Sequence, residues 1–145
     1  MIEFVYDDGG RADAGFRGSA GDCVTRAIAI ASGRPYGEVY EALADGMARS
    51  RTRGRAAGKR SARNGVYRPV YDRYLRSIGA EWTPTMEIGS GTTVHLRADE
   101  LPPGRLVVRL SRHLAAVIDG VLHDTGDCSR DGTRAVYGYW RLPDA

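Results

Sequence analysis

Glutamine occurs nowhere in the 145 residues, and Lys59 is the only lysine among 21 basic residues. Arginine, alanine and glycine dominate instead, which reads as a GC-rich coding bias and says nothing of function. The two cysteines, Cys23 and Cys128, are too few for a disulfide framework. No window approaches the roughly 18 consecutive apolar residues of a membrane span. The opening "MIEFVYDDGG" lacks the basic-then-apolar order of a signal peptide. These absences lead us to expect a cytoplasmic protein with reduced thiols and no membrane partner. The formal charge of +3 is modest.

What is present fits one domain, residues 1–145, with its own core. Residues 2–6 read as a short strand, followed by a glycine-rich loop. Helical spacing begins at Cys23, with Asp22 where an N-cap belongs and Gly33 where a C′ residue belongs. Val24, Ala27, Ile28 and Ala31 form a broad apolar face, so this helix is expected to be buried. Pro35 opens a second helix, with Val39, Leu43 and Met47 four apart. "RSRTRGRAAGKRSARN", residues 49–64, has no apolar period and is expected to be a basic, flexible insertion. A third helix is expected over 69–78, stopped by Gly79.

The second half is β-rich. Strands are expected around 105–111, 113–118, 121–125 and 134–141, with Asp119-Gly120 as a two-residue hairpin turn. Helices first and strands afterwards predict an α+β domain, its N-terminal helices packed on a C-terminal antiparallel β-sheet. No internal repeat is visible.

Three residues carry candidate chemistry. A cysteine in the first turn of a helix meets the positive end of the macrodipole, which stabilises its thiolate, although buried free cysteine is common as mere packing. His113 begins a strand. If Asp119-Gly120 form the turn, Ile118 pairs with Val121 and Ala115 falls opposite Asp124. Strand side chains alternate, so Asp124 then lies diagonally across from His113, while His123 points to the other face. A carboxylate there can fix the imidazole tautomer while the other ring nitrogen meets a thiol. The plainer readings are a solvated histidine and a turn carboxylate. His95 has no comparable setting and is taken as structural. A metal site from Cys23, His113, His123 and Cys128 has no standard zinc spacing and divides its histidines between two faces. We therefore expect no metal, and Cys128 reads as an incidental loop thiol.

The order Cys, His, Asp resembles papain-like cysteine peptidases, in which a helix N-terminus carries the nucleophile and a following sheet carries the histidine and its partner. "GDCVTRA" and "HLAAVIDGVLHD" look like small phage and bacterial proteins of that fold, with a D-C-x-x-R-A opening and an H-x-x-x-V-x-D-G-x-x-x-D segment. The likeness spans residues 20–45 and 65–140. It implies Cys23 as nucleophile, His113 as base and Asp124 as orienting acid, acting through a thioester on a protein or peptide substrate, with no cofactor. Papain-like enzymes place a Gln before the cysteine to hold the oxyanion, and this chain has none. The Cys23 backbone N–H, with Ser19 or Asp22 nearby, is the remaining candidate. The same triad also serves transglutaminase-like and deamidating enzymes. A third reading is a non-catalytic binding module of the same fold. Arg51, Arg53, Arg55, Lys59 and Arg60 would then contact nucleic acid or an acidic partner, with Tyr67, Tyr71 and Tyr74 available for stacking. A solvated basic loop and tyrosines lining a core helix are the simpler account. Oligomeric state is left open.

Overall fold

The computed structural model describes residues 2–16, 22–50, 65–87 and 91–143. Strand β1 spans Glu3–Tyr6, followed by helices α1 (Cys23–Ser32), α2 (Tyr36–Ser50) and α3 (Arg68–Ser77). Strands β2 (Glu81–Pro84), β3 (Met86–Glu87) and β4 (Gly91–Thr92) come next, then β5 (Arg105–Leu110), β6 (His113–Ile118), β7 (Val121–Asp124) and β8 (Gly138–Leu142). The domain is therefore α+β, as its element order predicts. Among the described residues no helix is long and apolar enough to cross a membrane.

The main sheet has six strands in the order β1-β7-β6-β5-β8-β2. It is mixed, where an antiparallel sheet was expected. β1 runs parallel to β7, with Glu3 opposite Val121 and Tyr6 opposite Asp124. The hairpins β5–β6 and β6–β7 are antiparallel because short turns force that direction. β1 is separated from them by all three helices, so no turn dictates its sense. β2 was not anticipated. It is an edge strand with a mostly exposed pattern and a terminal proline, and neither leaves a clear alternation to read. The closing strand is shorter than expected, since Ala135 makes only an isolated bridge to His95.

The turn at Asp119-Gly120 has φ of 48° and 79°, the doubly positive geometry of a type I′ turn. It sets the register Ile118↔Val121, Val117↔Leu122, Ala116↔His123. The β5–β6 turn, Ser111-Arg112, closes on the pair Leu110↔His113.

The sheet is covered on both faces, which is why β5 and β6 read as nearly continuous apolar runs. One face packs α1 (Val24, Ala27, Ile28, Ala31) against Val107, Leu114, Ala116 and Trp140, with α2 and α3 behind. The other buries Leu106, Val108, Leu110, Ala115, Val117 and Leu122 under Ile2, Leu96, Leu101 and Val136. α1 ends at Gly33 in the left-handed region (φ 72°), whose N–H reaches Ala29 and Ile30 carbonyls. At Gly138 the Trp82 ring occupies the space a Cβ would need, so only glycine lets β2 lie against β8 there.

Residues 49 and 50, expected in the basic insertion at 49–64, belong instead to α2, which continues through Ser50. Residues 51–64, with Arg51, Arg53, Arg55, Lys59 and Arg60, lie outside the described residues, as does Ser19.

Candidate active site

Cys23 is the first residue of α1, so its backbone N–H has no acceptor within the helix. Asp22 holds the N-cap position, yet its side chain makes no cap hydrogen bond. Its carboxylate is committed elsewhere. Oδ1 accepts from Arg26 Nη1 at 2.7 Å, and Oδ2 accepts from the Tyr36 hydroxyl at 2.6 Å. Arg11 Nε stands 3.6 Å from Oδ2. A carboxylate is acceptor-only, and this one is buried and occupied, so the Asp22 side chain does not serve as an oxyanion donor. Burial first, then the hydrogen bond and charge of Asp22, hold the Tyr36 phenol well above its ordinary pKa.

Arg26, only 8% exposed, continues the chain of contacts. Its Nη2 donates to Asp124 Oδ1 at 2.9 Å. Asp124 ends β7, and Oδ1 also accepts the Thr125 N–H at 2.7 Å. Asp124 Oδ2 lies 2.6 Å from His113 Nε2. This is the diagonal neighbour that the I′ register predicts. Because His113 is the first residue of β6, its ring sits at the end of the sheet and is reached from both faces. The Cys23 thiol and that ring are close enough for each to shift the other's ionisation, and both line one cleft. With Nε2 committed to Asp124, Nδ1 is the ring nitrogen left for another partner.

The ionisations follow from these contacts. Burial pushes the Cys23 thiol up. The His113 hydrogen bond, the Leu114 backbone N–H and the charges of His113 and Arg26 outweigh it and bring the thiol below its ordinary value. Burial alone would lower His113. Hydrogen bonds with Asp124, Cys128 and Cys23, with the Asp124 charge, instead push it up to about 11. Burial would raise Asp124, but His113, Thr125 and Arg26 hold it below the usual carboxylate range. The shifts of Cys23 and His113 both run toward a thiolate–imidazolium pair, backed by a carboxylate.

Two clefts meet at His113 and Arg112. One, about 400 Å³, is lined by Cys23, Val24, Tyr71, Arg109 and Leu114 among others. The second, about 680 Å³, contains Asp124, Cys128, Arg130 and Arg134. Cys128 is therefore not a remote loop thiol, since it lines the second cleft together with His113. Ligand-type atoms of His113, Asp124 and Cys128 lie within 4.8 Å of one another. Asp124 is already shared by the Arg26 guanidinium, a backbone N–H and His113, and a fixed cation on that carboxylate opposes a second one. His95 pairs with Glu100 at 3.1 Å, and His123 faces Asp7 at 3.6 Å, both away from the cluster.

Sequence reading gave no role to Arg26, Tyr36, Arg11 or Cys128. The first carried a signal: Asp22 and Arg26 are four apart on a helix, the spacing of an ion pair. The others are brought in by tertiary packing.

An α+β domain thus presents a hydrogen-bonded imidazole and carboxylate beside a thiol at a helix start, with a guanidinium bridging the carboxylate to that helix start. No family model, no curated protein and no solved structure matches this chain.

Proposed function

We propose that this chain is a cysteine peptidase or related thiol acyl hydrolase of the papain-like kind. The carrying observation is the line Cys23–His113–Asp124, with the thiol at a helix N-terminus and below its ordinary pKa. In this mechanism the Cys23 thiolate attacks a substrate carbonyl, and the carbonyl electron pair moves onto oxygen. The free N–H of Cys23 donates to that oxyanion. The imidazolium of His113 gives its proton to the leaving amine as the C–N bond breaks, leaving a thioester. Water then loses a proton to His113 and adds to the thioester carbonyl. The C–S bond breaks, the acid departs, and the thiolate–imidazolium pair is restored. Asp124 holds the ring and stabilises its charge without taking its proton. Arg26 keeps Asp124 ionised and in place.

The experiment is labelling of the intact protein with a peptidyl acyloxymethyl ketone, followed by peptide mapping. The expected result is a single thioether on Cys23, lost in His113→Ala. Labelling of Cys128 in preference, or no labelling of the folded protein, would overturn the assignment and leave a binding module of the same fold.

A further inference from the structure

The cleft beside Cys23 has a charge problem that the triad does not solve. Arg109, on the helix-covered face of β5, is half-buried and lines this cleft together with Arg112. Its guanidinium lies beside Tyr71 in the cleft lining, close enough to offset part of the rise that burial gives that phenol's pKa, and 5.7 Å from the centre of the Tyr137 ring. Both contacts position a cation and neither neutralises it. Among the described residues no carboxylate lines the cleft and no ion pair includes Arg109 or Arg112. A half-buried guanidinium without a counter-ion is an unfavourable arrangement unless an anion completes it.

Arg112 adds a second, independent observation. It occupies the left-handed region at φ 56°, in the two-residue turn immediately before His113. Glycine takes that conformation without strain, whereas a side chain there is disfavoured by about 1 kcal/mol. The turn nevertheless carries a long cationic side chain, and that side chain lines both clefts. The acids that line the second cleft with it are already engaged: Asp124 by Arg26 and His113, Asp127 by the Ser129 N–H and hydroxyl.

We propose that the groove beside Cys23 selects substrates carrying a carboxylate close to the reacting carbonyl, which Arg109 and Arg112 grip. The proposal rests on Cys23 being the nucleophile. Arg109 matches a planar carboxylate, because a guanidinium fork donates two parallel hydrogen bonds to one. The groove, at about 400 Å³, holds a side chain or a chain end beside the thiol. The carboxylate therefore comes from an acidic side chain or from a peptide C-terminus.

The test compares alkylation of Cys23 by iodoacetate and by iodoacetamide at pH 6, read by peptide mapping. In both reactions the sulfur displaces iodide, and only the first reagent carries a carboxylate. The ratio of the two rates normalises for changes in the thiol itself. In Arg109→Met and in Arg112→Gly the ratio is expected to fall about fivefold to tenfold from wild type, the scale of one partly screened charge pair. Arg109→Lys is expected to retain most of it, and added salt to reduce it in wild type. Arg112→Gly suits its backbone conformation, so a folding defect in Arg109→Met does not remove the test. A ratio unchanged in both variants overturns the proposal. Failure of the nucleophile reading is separate. It shows as wild-type iodoacetamide kinetics of an ordinary thiol, and it takes the proposal with it. Protection of Cys23 by N-acetylglutamic acid α-amide or by N-acetylglycine, exceeding that by N-acetylglutamine amide, supports the proposal and names the carboxylate's source. Equal protection by the neutral compound overturns it. So does protection by oligothymidylate where neither carboxylate acts, which makes the groove a nucleic-acid contact.

Discussion

Arg26→Met removes the cation that joins the start of α1 to the end of β7 while keeping most of the side-chain volume. Two charge-assisted hydrogen bonds disappear, at 2.7 Å to Asp22 and 2.9 Å to Asp124, and both carboxylates stay buried. Breaking a buried pair by deleting one partner typically costs about 3–5 kcal/mol. Here Asp22 keeps the Tyr36 hydroxyl, and Asp124 keeps the Thr125 N–H and His113, so the low end applies. A loss of about 3 kcal/mol is expected, a large share of the ~5–15 kcal/mol of a typical domain. At about 2–4 °C per kcal/mol for a domain of this size, the melting temperature falls by roughly 6–12 °C. Urea titration gives the free energy, and a cycle with Asp22→Asn tests the cause. Neutralising Asp22 removes one of the carboxylates left unpaired, so the double variant should be more stable than the sum of the singles by about 1 kcal/mol or more. The same substitution loosens Asp124 and hence the His113 ring, so Cys23 alkylation at pH 6 slows. A loss below about 1 kcal/mol that adds simply to Asp22→Asn, with alkylation unchanged, would refute the bridging role.

Two further outcomes are expected. Asp124 titrates below its ordinary value, so its stabilisation is present above the unfolded carboxylate pKa near ~4 and lost as pH falls through the folded value. His113 is raised, so its contribution is full below about 6.5 and lost as pH climbs toward about 11. Urea midpoints against pH should show both limbs in wild type and flatter ones in Asp124→Asn; equal slopes would contradict the pairing. Gly138→Ala drives a methyl into the Trp82 ring and should destabilise by about 1–3 kcal/mol with loss of near-ultraviolet tryptophan dichroism, whereas an unchanged signal would mean the β2 edge is placed wrongly.

The His113–Asp124 pair and the helix start at Cys23 were legible because each sits where local rules act. Asp119-Gly120 sets a turn type, the turn sets a register, and the register puts Asp124 diagonal to His113 by parity alone. The helix start at Cys23 follows from its apolar spacing and from Gly33. Asp22 shows where local rules stop. Its place before a helix suggests a capping carboxylate, but Tyr36 and Arg26 reach it first, and a buried ion pair outweighs a cap. The direction of β1 and the existence of β2 depend on partners far along the chain, so no short-range period encodes them. Cys128 lies in an irregular segment after β7, and only the folded chain brings it to His113.

The pH dependence of Cys23 alkylation by iodoacetamide, resolved from Cys128 by peptide mapping, tests the site most directly. Wild-type Cys23 is expected to show an inflection below the ~8.5 of a free thiol, moved up toward that value in His113→Ala. A wild-type inflection at the free-thiol value, unmoved by His113→Ala, would contradict an activated Cys23.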